Sequence, residues 1–310
     1  MQLIRGWKNI PPNFSGCALT IGNFDGVHLG HQAILLHLRA KADELGLPMA
    51  VLLFEPQPRE FFQGQNAPAR LMRLRDKFEL FSQFGVDYLI CIRFNQAFST
   101  QRAEQFILNG LVNKLHIKFL SIGDDFRFGA ERQGDFAMLQ QFGKQYGFTV
   151  EDNHSFCQNA LRVSSTAIRQ ALADGNLTQA EQLLGHPYSI IGKVIHGNKL
   201  GRTIGFPTAN IRLQRQVNPI QGVYAVKVQL PTGELVNGVA NVGKRPTVNG
   251  VKQLLEVHLF DFERHLYGQN LSVIFCHKLR DEMKFPSLEA LKAQIAQDAQ
   301  DARFFFQQKG

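Results

Sequence analysis

The sequence predicts an α/β protein in two parts: a parallel sheet with helices on both faces, then an antiparallel β-barrel or small sheet with a terminal helix. In the first 185 residues, short apolar segments alternate with segments of helical periodicity, as in parallel strands joined by crossover helices. After residue 185, short apolar segments follow one another with only turns between them, which is typical of antiparallel strands. We therefore expect two domains, 1–185 and 186–310, separated where Gly185 and Pro187 interrupt the pattern.

The periodicities place the individual elements of the first part. Strands are predicted at 17–21, 49–54, 86–92, 117–122 and 148–151, and helices at 28–45, 71–84, 100–112 and 136–146. In the first helix, Ile34, Leu35, Leu38 and Ala42 form an apolar stripe, and Gly46 follows where helices commonly end. Folds of this kind bind ligands in the loops beyond the carboxyl ends of their strands.

The second part shows strand patterns separated by turn signals. Strands are predicted at 222–230, 235–242, 253–260 and 271–277, with turns at 231–233 and 248–250 and a closing helix at 288–304. Because these strands are close in sequence and have no helices between them, they indicate an antiparallel sheet or small barrel.

The composition excludes several classes of protein. Of the 310 residues, 44% are hydrophobic and 19% are charged, which excludes a disordered or fibrous chain. No apolar run approaches the ~20 residues of a membrane span, and the first residues lack the apolar block of a secretory signal. The four cysteines are scattered, so we expect neither a disulfide framework nor a zinc site. We expect a cytoplasmic protein with reduced thiols.

The net charge of +8 is distributed unevenly along the chain. Residues 1–185 carry 18 basic and 17 acidic side chains, whereas residues 186–310 carry 16 and 9. The basic excess of the second part would attract polyanions, either nucleic acid or the phosphates of a nucleotide. Charge alone does not choose between these partners, nor does it exclude a basic surface with no specific ligand.

A first candidate site lies where the first predicted strand meets the first predicted helix. Gly22, Gly26 and Gly30 allow the backbone to approach a ligand closely, and the free N–H groups of a helix N-terminus attract phosphate. His28 and His31 are three residues apart and therefore project from the same side of the first turn of the predicted helix. Two imidazoles in this position can donate hydrogen bonds to negative charge that develops on a phosphoryl group.

A second segment, at 163–169, admits two interpretations. Ser164, Ser165 and Thr166 precede a predicted helix that carries Arg169 near its start. The segment is either an ordinary N-cap or a clamp for pyrophosphate that combines hydroxyls, free N–H groups and one guanidinium.

A glycine-rich segment at 192–210 is the densest motif of the second part. Gly197 and Gly201, beside Lys199 and Arg202, suit a loop that wraps a triphosphate, although the spacing is not that of a P-loop. The alternative is a glycine-rich turn of a barrel.

Oxygen-bearing side chains follow this segment. Thr208 and Asn210 offer oxygen ligands to a hard cation such as Mg²⁺. Glu256 lies in an otherwise apolar strand, where a carboxylate is either paired structurally or functional.

The first part resembles a known family. His-x-Gly-His with Ser-Ser-Thr-x-Ile-Arg is similar to the nucleotidyltransferase superfamily, and segments 22–28, 54–58 and 123–129 resemble the FMN adenylyltransferase (FAD synthetase) module of bacteria. Gln57 stands where many members carry His, and Asp125 where some carry Asn.

The resemblance implies a Rossmann-like nucleotidyltransferase domain and roles for particular residues. It implies catalytic roles for His28 and His31, and flavin contacts for Asp125 and Phe128, although a packed turn would also explain the latter two. The residues that it implies for nucleotide binding are Gly22, Asn23, Phe24, Gly30, Ser164, Ser165, Thr166 and Arg169.

The second part resembles bacterial riboflavin kinase over essentially all of residues 186–310. The matching segments are 192–210, 222–225, 238–247, 256–262 and 279–285. The resemblance implies that Thr208 and Asn210 hold a metal ion with the phosphates of ATP and that Glu256 is the base for the riboflavin 5′-hydroxyl. It also implies that the loop around Arg280 lies over the flavin.

Together, the resemblances cover nearly the whole chain in the order of the bifunctional bacterial riboflavin kinase/FMN adenylyltransferase family. They imply phosphorylation of riboflavin to FMN by ATP, then adenylylation of FMN to FAD with release of pyrophosphate. The expected partners are ATP, riboflavin and FMN with Mg²⁺, and neither nucleic acid nor a membrane; the sequence does not give the oligomeric state. Two alternatives are the loss of one activity and a basic barrel that binds RNA, although the barrel shows no evident interleaving of aromatic and basic residues.

Overall fold

A computed structural model describes residues 1–153, 157–158, 161–196, 205–213, 217–247 and 250–309. The chain forms two compact units. One consists of Met1–Pro68 and Arg73–Val163, and the other of Ala69–Met72 and Ser164–Gly310.

The first unit is built on a sheet in which all the described strand pairs are parallel, in the order β1-β4-β3-β2-β5-β6. The strands are β1 (Gln2–Arg5), β2 (Ala18–Ile21), β3 (Met49–Glu55), β4 (Tyr88–Arg93), β5 (Phe119–Ile122) and β6 (Thr149–Asp152). From β2 the chain proceeds outward through β3 and β4, and then crosses back to place β5 on the other side of β2. This reversal puts crossover helices on both faces and opens a crevice beyond the carboxyl ends of β2 and β5.

The helices of the first unit follow the predicted pattern with shifted ends. They are α1 (Leu29–Glu44), α2 (Pro58–Gln63), α3 (Leu74–Gln83), α4 (Gln96–Ser99), α5 (Ala103–Gln105), which continues as a π-helix at Phe106–Val112, and α6 (Phe136–Tyr146). A short hairpin joins β7 (Cys157–Gln158) and β8 (Leu161–Arg162). Leu35, Leu38 and Ala42 of α1 are fully buried, as the apolar stripe predicts, and Ile34 lies half-buried at its margin.

The second unit contains a closed antiparallel barrel. Two helices, α7 (Ser165–Ala173) and α8 (Leu177–Leu184), precede it. Its strands are β9 (Ser189–Ile195), β10 (Ala209–Arg212), β11 (Gly222–Gln229), β12 (Leu235–Thr247), β13 (Gly250–Leu259) and β14 (Asn270–Arg280), in the barrel order β10-β13-β12-β11-β14-β9. The C-terminal helix α9 (Leu288–Lys309) packs against β11, β12 and β14. Both predicted architectures are therefore confirmed.

Gly222, the first residue of β11, is required by its surroundings. Its φ is 109°, and a Cβ added there would overlap the carbonyl oxygen of Arg280 on β14. We expect Gly222→Ala to lower the free energy of unfolding of the barrel by about 2 kcal/mol or more, because backbone strain and backbone overlap both contribute. Thermal unfolding would measure the change.

Gly233 provides the matched control for this substitution. It has a similar φ of 87°, but no atom of the described residues lies within 4 Å of an added Cβ. Gly233→Ala therefore carries the backbone strain alone and should cost less stability. Equal losses in the two variants would contradict the close approach at Gly222.

Candidate active sites

The loop that joins β2 to α1 lies at the crevice of the parallel sheet. Phe24 and Val27 have φ values of 46° and 40°, which are uncommon for residues with side chains. The backbone N–H of Val27 donates to the Phe24 carbonyl at 3.2 Å, and that of Gly22 donates to Leu52 of β3 at 3.2 Å. The loop is thus held in a strained conformation, which is frequent where a protein positions groups for a ligand.

The two predicted histidines lie together at the start of α1. His28 is the N-cap residue, and its Nδ1 accepts a hydrogen bond from the backbone N–H of His31 at 3.4 Å. The two imidazole rings stack with their centroids 3.6 Å apart and their planes 19° apart. The rings do project from the same side, but His28 does so from the cap and not from the first helical turn.

The surroundings of His31 favour its neutral form. Burial lowers the pKa of His31 well below 6.5, and the positive charges of His28 and Lys77 lower it further. Its Nδ1 is buried and has no hydrogen-bond partner among the described residues. Nε2 is therefore the ring nitrogen of His31 that remains to contact a substrate, and we expect the stacked pair to carry at most one positive charge.

Lys77 of α3 joins this site without a signal in the sequence. Its side chain is only 3% exposed, and its Nζ donates to the carbonyl oxygen of Asn23 at 2.7 Å. The ring of Phe24 lies between His31, at a centroid distance of 4.9 Å, and Phe81 of α3, at 5.6 Å. Gly30 is buried in the first turn of α1. Helix α3 therefore supports the loop that carries Asn23 and Phe24.

The two predicted flavin contacts follow β5, at the other flank of the crevice. Asp125 is exposed in a turn closed by the Phe126 N–H and the Gly123 carbonyl at 3.0 Å. Phe128 is 7% exposed and belongs to the core, where it stacks on Phe126 at 5.5 Å and packs against Phe106 at 5.5 Å. The packed turn that the sequence allowed is therefore present, and the flavin role of both residues stays a prediction.

Further aromatic rings collect beyond the carboxyl ends of β3 and β4. The cluster consists of Phe54, Phe61, Phe62, Phe94 and Phe98, with centroid distances of 5.1–5.9 Å. Phe62 is 67% exposed, so the cluster presents an aromatic face to solvent. Gln57 caps α2 beside it, and the buried Nε2 of Gln57 has no hydrogen-bond partner among the described residues.

The Ser-Ser-Thr segment lies in the second unit. Ser164 is the N-cap of α7, and its Oγ accepts from the Ala167 N–H at 3.2 Å. Ser165 and Thr166 form the first turn of α7, and the Nε of Arg169 donates to the Ala69 carbonyl at 2.6 Å. The capping interpretation of Ser164 is therefore observed, and the pyrophosphate clamp stays a prediction.

A cavity of about 310 Å³ opens on the barrel. Its walls are Phe206, Thr208, Val223, Val239, Ala240, Asn241, Glu256, His258, Arg280, Glu282, Met283, Phe285, Leu291, Ile295 and Asp298. Three of the residues singled out in the sequence, Thr208, Glu256 and Arg280, thus line one cavity. Gly197, Lys199, Gly201 and Arg202 lie outside the described residues.

Glu256 is at the centre of a polar row that crosses three strands. It pairs with Asn210 of β10 on one side and with Asn241 of β12 on the other. Directly paired residues of an antiparallel sheet project on the same face, so all three side chains lie on one face of the barrel, and Glu256 and Asn241 of this row line the cavity. The sequence revealed Glu256 and Asn210, but not Asn241, because the register of β12 was needed to bring it there.

The polar residues of this cavity fit a hard cation bound together with phosphate. Asn210 is buried, and its Nδ2 donates to the Thr208 carbonyl at 3.4 Å, which leaves Oδ1 outside that bond. His258 Nδ1 lies 2.9 Å from the Pro207 carbonyl and so helps to fix the segment that carries Thr208. In the part of the chain that the structure describes, no group of three or more His, Cys, Asp or Glu side chains could hold a metal ion. A hydroxyl and an amide oxygen suit Mg²⁺, which commonly takes its remaining ligands from phosphates and water.

A strained loop at the crevice of a parallel sheet and a polar cavity on a barrel are both typical of enzymes that handle nucleotides, and comparisons with known proteins identify the class of enzyme. A family model described as FAD synthetase matches residues 10–167, and one described as Riboflavin kinase matches residues 184–306. The chain belongs to the bifunctional riboflavin kinase/FMN adenylyltransferase family. It phosphorylates riboflavin to FMN and adenylylates FMN to FAD with ATP, so the predicted bifunctional activity is confirmed.

Relatives match over the whole length of the chain. The bifunctional riboflavin kinase/FMN adenylyltransferase of Haemophilus influenzae is 67% identical over 306 residues, which are 99% of each chain. That of Escherichia coli K12 is 55% identical over 309 residues, 99% of this chain and 98% of the relative. A solved structure described as a macrolide-efflux protein from Streptococcus pneumoniae superposes with a TM-score of 0.80 at 29% identity, covering 98% of this chain and 99% of that one. In this chain, none of the helices formed by the described residues has the length and apolar character to cross a membrane.

Proposed function

We propose that riboflavin is phosphorylated in the barrel cavity and that FMN is adenylylated at the stacked His28 and His31. The observation that supports the first assignment is the row of Asn210, Glu256 and Asn241, because it sets one carboxylate and two amides on one face of the barrel, where Glu256 and Asn241 line the cavity. We assign the two activities to domains 186–310 and 1–185. Because both reactions consume ATP, we also propose that the protein acts in the cytoplasm.

In the kinase reaction, Glu256 acts as the general base. Its carboxylate takes the proton of the riboflavin 5′-hydroxyl while the hydroxyl oxygen attacks the γ-phosphorus of ATP, and ADP leaves. Thr208 and Asn210 would hold Mg²⁺ together with the phosphates of ATP, and the ion would neutralise charge on the transferring group. Gly197, Lys199, Gly201 and Arg202 are proposed to wrap the triphosphate.

The flavin ring occupies the apolar part of the same cavity. Phe206, Val223 and Val239 supply apolar wall, and Arg280 stands at its edge. A largely apolar cavity with a few fixed polar groups is the usual form of a site for a flat organic ligand.

In the adenylyltransferase reaction, the phosphate of FMN attacks the α-phosphorus of ATP and pyrophosphate leaves. A phosphate dianion is already nucleophilic, so the reaction needs positioning and charge stabilisation more than a strong base. We propose that His28 and His31 donate hydrogen bonds to the reacting phosphoryl group, with His31 using Nε2 in its neutral form.

Other residues are proposed to bind the substrates of this second reaction. Gly22, Asn23, Phe24 and Gly30 bind the nucleotide, and Ser164, Ser165, Thr166 and Arg169 bind the leaving pyrophosphate. Asp125 and Phe128 contact the flavin. The exposed face of Phe62 offers a further surface on which an aromatic ring can stack.

Substitution of Asn210 tests the proposed metal site. We expect Asn210→Ala to raise the Mg²⁺ concentration for half-maximal riboflavin phosphorylation at least tenfold, because one oxygen ligand is lost. The Mg²⁺ dependence of FMN adenylylation, measured on the same protein, should not change.

Asn218 supplies a matched control for this experiment. It is also a buried asparagine of the barrel unit, but its Nδ2 donates to Gln253 Oε1 at 3.1 Å. It is not paired with Glu256, as Asn210 is, and it does not line the cavity. Asn218→Ala can lower stability but should leave the Mg²⁺ requirement of the kinase unchanged. Equal shifts in the two variants would contradict metal binding by Asn210.

A further inference from the structure

We propose that Asp298, on the C-terminal helix α9, is a positioning residue of the riboflavin kinase site, where it fixes the guanidinium of Arg280 at the wall of the flavin cavity. The proposal rests on the assignment of the barrel cavity to riboflavin. Both residues line that cavity. No sequence pattern indicates this pairing, because Asp298 follows Arg280 by 18 residues and lies in a different element.

The contact between the two side chains is bidentate. Arg280 Nε donates to Asp298 Oδ1 at 2.8 Å, and Arg280 Nη2 donates to Asp298 Oδ2 at 2.7 Å. The third guanidinium nitrogen, Nη1, donates to the Asp281 carbonyl at 2.9 Å. We call the two parallel hydrogen bonds from Arg280 to Asp298 the fork. Because all three guanidinium nitrogens are bonded and the group is planar, it has one fixed orientation.

Asp298 is itself held in place. It is only 4% exposed, and its Oδ1 also accepts from Gln294 Nε2, one helical turn earlier, at 2.9 Å. On the other side of the pair, the Phe285 ring centroid lies 5.7 Å from Arg280 Cζ. The ion pair is therefore flanked by protein groups at the cavity wall, which gives it more rigidity than an exposed pair would have.

One face of α9 forms part of the cavity wall. Leu291, Ile295 and Asp298 all line the cavity and are spaced four and three residues apart, as residues on one helical face are. Farther along the helix, Ala299 and Ala302 pack in the same core cluster as Val223 and Val239 of the barrel. The helix is thus anchored on the strands next to the residues that it contributes to the site.

The ion pair also determines which ligand Arg280 suits. An unpaired guanidinium in this cavity would attract the phosphates of a nucleotide, whereas Asp298 neutralises that charge. A neutralised, oriented guanidinium retains its flat face for an uncharged ring such as that of riboflavin. We therefore place the effect of Asp298 on flavin binding and not on ATP binding.

Asp298→Asn tests this proposal in the full-length protein. We expect the KM for riboflavin to rise at least tenfold, with the KM for ATP within twofold of its original value, because the fork is lost while the phosphate-binding residues are untouched. Asp298→Glu keeps the negative charge opposite Arg280, so this variant should fold. Because its longer side chain displaces the carboxylate, it should still raise the KM for riboflavin. The rate of FMN adenylylation in the same preparation checks that the protein is intact.

Two further variants sharpen the test. Arg280→Lys should raise the KM for riboflavin to a similar extent. The double variant Arg280→Lys/Asp298→Asn should show no additional rise, because each substitution breaks the same bidentate contact. Asp301→Asn is the matched control, since Asp301 lies on the same helix, is exposed and accepts a hydrogen bond from Gln297 Nε2 at 2.8 Å. Its kinetics should be unchanged.

The outcomes separate this proposal from the assignment of the cavity. A normal KM for riboflavin in a folded Asp298→Asn variant would overturn the positioning role, and so would equal rises in both KM values. If Glu256→Gln left FMN formation intact, the cavity itself would not be the kinase site. If Glu256→Gln abolished FMN formation while Asp298→Asn changed nothing, only the positioning role would fail.

Discussion

Replacing Glu256 with glutamine is expected to slow the phosphorylation of riboflavin severely and to leave the conversion of FMN into FAD intact. Glutamine has nearly the same shape as glutamate, so the row with Asn210 and Asn241 should persist, but an amide cannot take the proton of the 5′-hydroxyl. General base catalysis typically contributes about 10²–10⁴-fold, and we expect a loss of kcat in that range. Incubation with ATP and either riboflavin or FMN, followed by chromatography of the flavins, measures the two reactions separately.

Glu234→Gln is the control for this loss of a carboxylate. Glu234 belongs to the same barrel unit, but it is exposed and paired with Arg264 away from the cavity. Its variant should retain both activities. Loss of both activities in a folded Glu256→Gln protein would refute the assignment of the reactions to two separate sites.

The opposite result is expected at the first site, where substitution of His28 should stop FAD formation and let FMN accumulate. His28 has two functions, since its imidazole faces the ring of His31 and its Nδ1 also caps α1. Alanine would remove both, and the lost cap alone would cost about 0.5–2 kcal/mol of stability. Asparagine caps helices well but has no imidazole, so His28→Asn isolates the chemical function.

We expect His28→Asn to lower the rate of FMN adenylylation by about 10²–10³-fold, the range found when a group that stabilises developing charge is removed. Riboflavin phosphorylation should continue at its original rate. His37→Ala is the control, because His37 lies on the outer side of the same helix, where it contacts Glu151 at 2.8 Å. A His28→Asn enzyme with undiminished FAD formation would exclude catalysis by this imidazole.

The sequence was sufficient for the architecture but not for the edges of the sheets. Central strands such as β3 are continuous apolar runs, because both faces are covered by protein, and such runs are easily recognised. Strand β1 is only four residues long, and of its side chains only Ile4 is buried, so its pattern is too weak to detect. Strands β9 and β10 were obscured by the glycines and polar residues of the segment between them.

The motifs predicted which residues gather, whereas their partners and charge states required the folded chain. Spacing placed His28 and His31 on one side, but the lowered pKa of His31 comes from burial, from His28 and from Lys77, which α3 contributes. Likewise, Arg280 was evident in its motif, but Asp298 reaches it only because α9 folds back onto the barrel. Contacts between distant elements leave no periodic signal in either of them.

The strands that complete the barrel are joined by few residues. Strands β9 and β10 pair through Asn210 with Ile195 and Ile211 with Val194, so a proposed ligand of the metal ion stands at the junction that turns an open sheet into a ring. A substrate complex that binds Asn210 therefore also stabilises the pairing of β9 with β10. Its binding free energy then adds to the free energy needed to open the barrel between these strands. Substrate binding and the stability of the barrel are therefore thermodynamically linked.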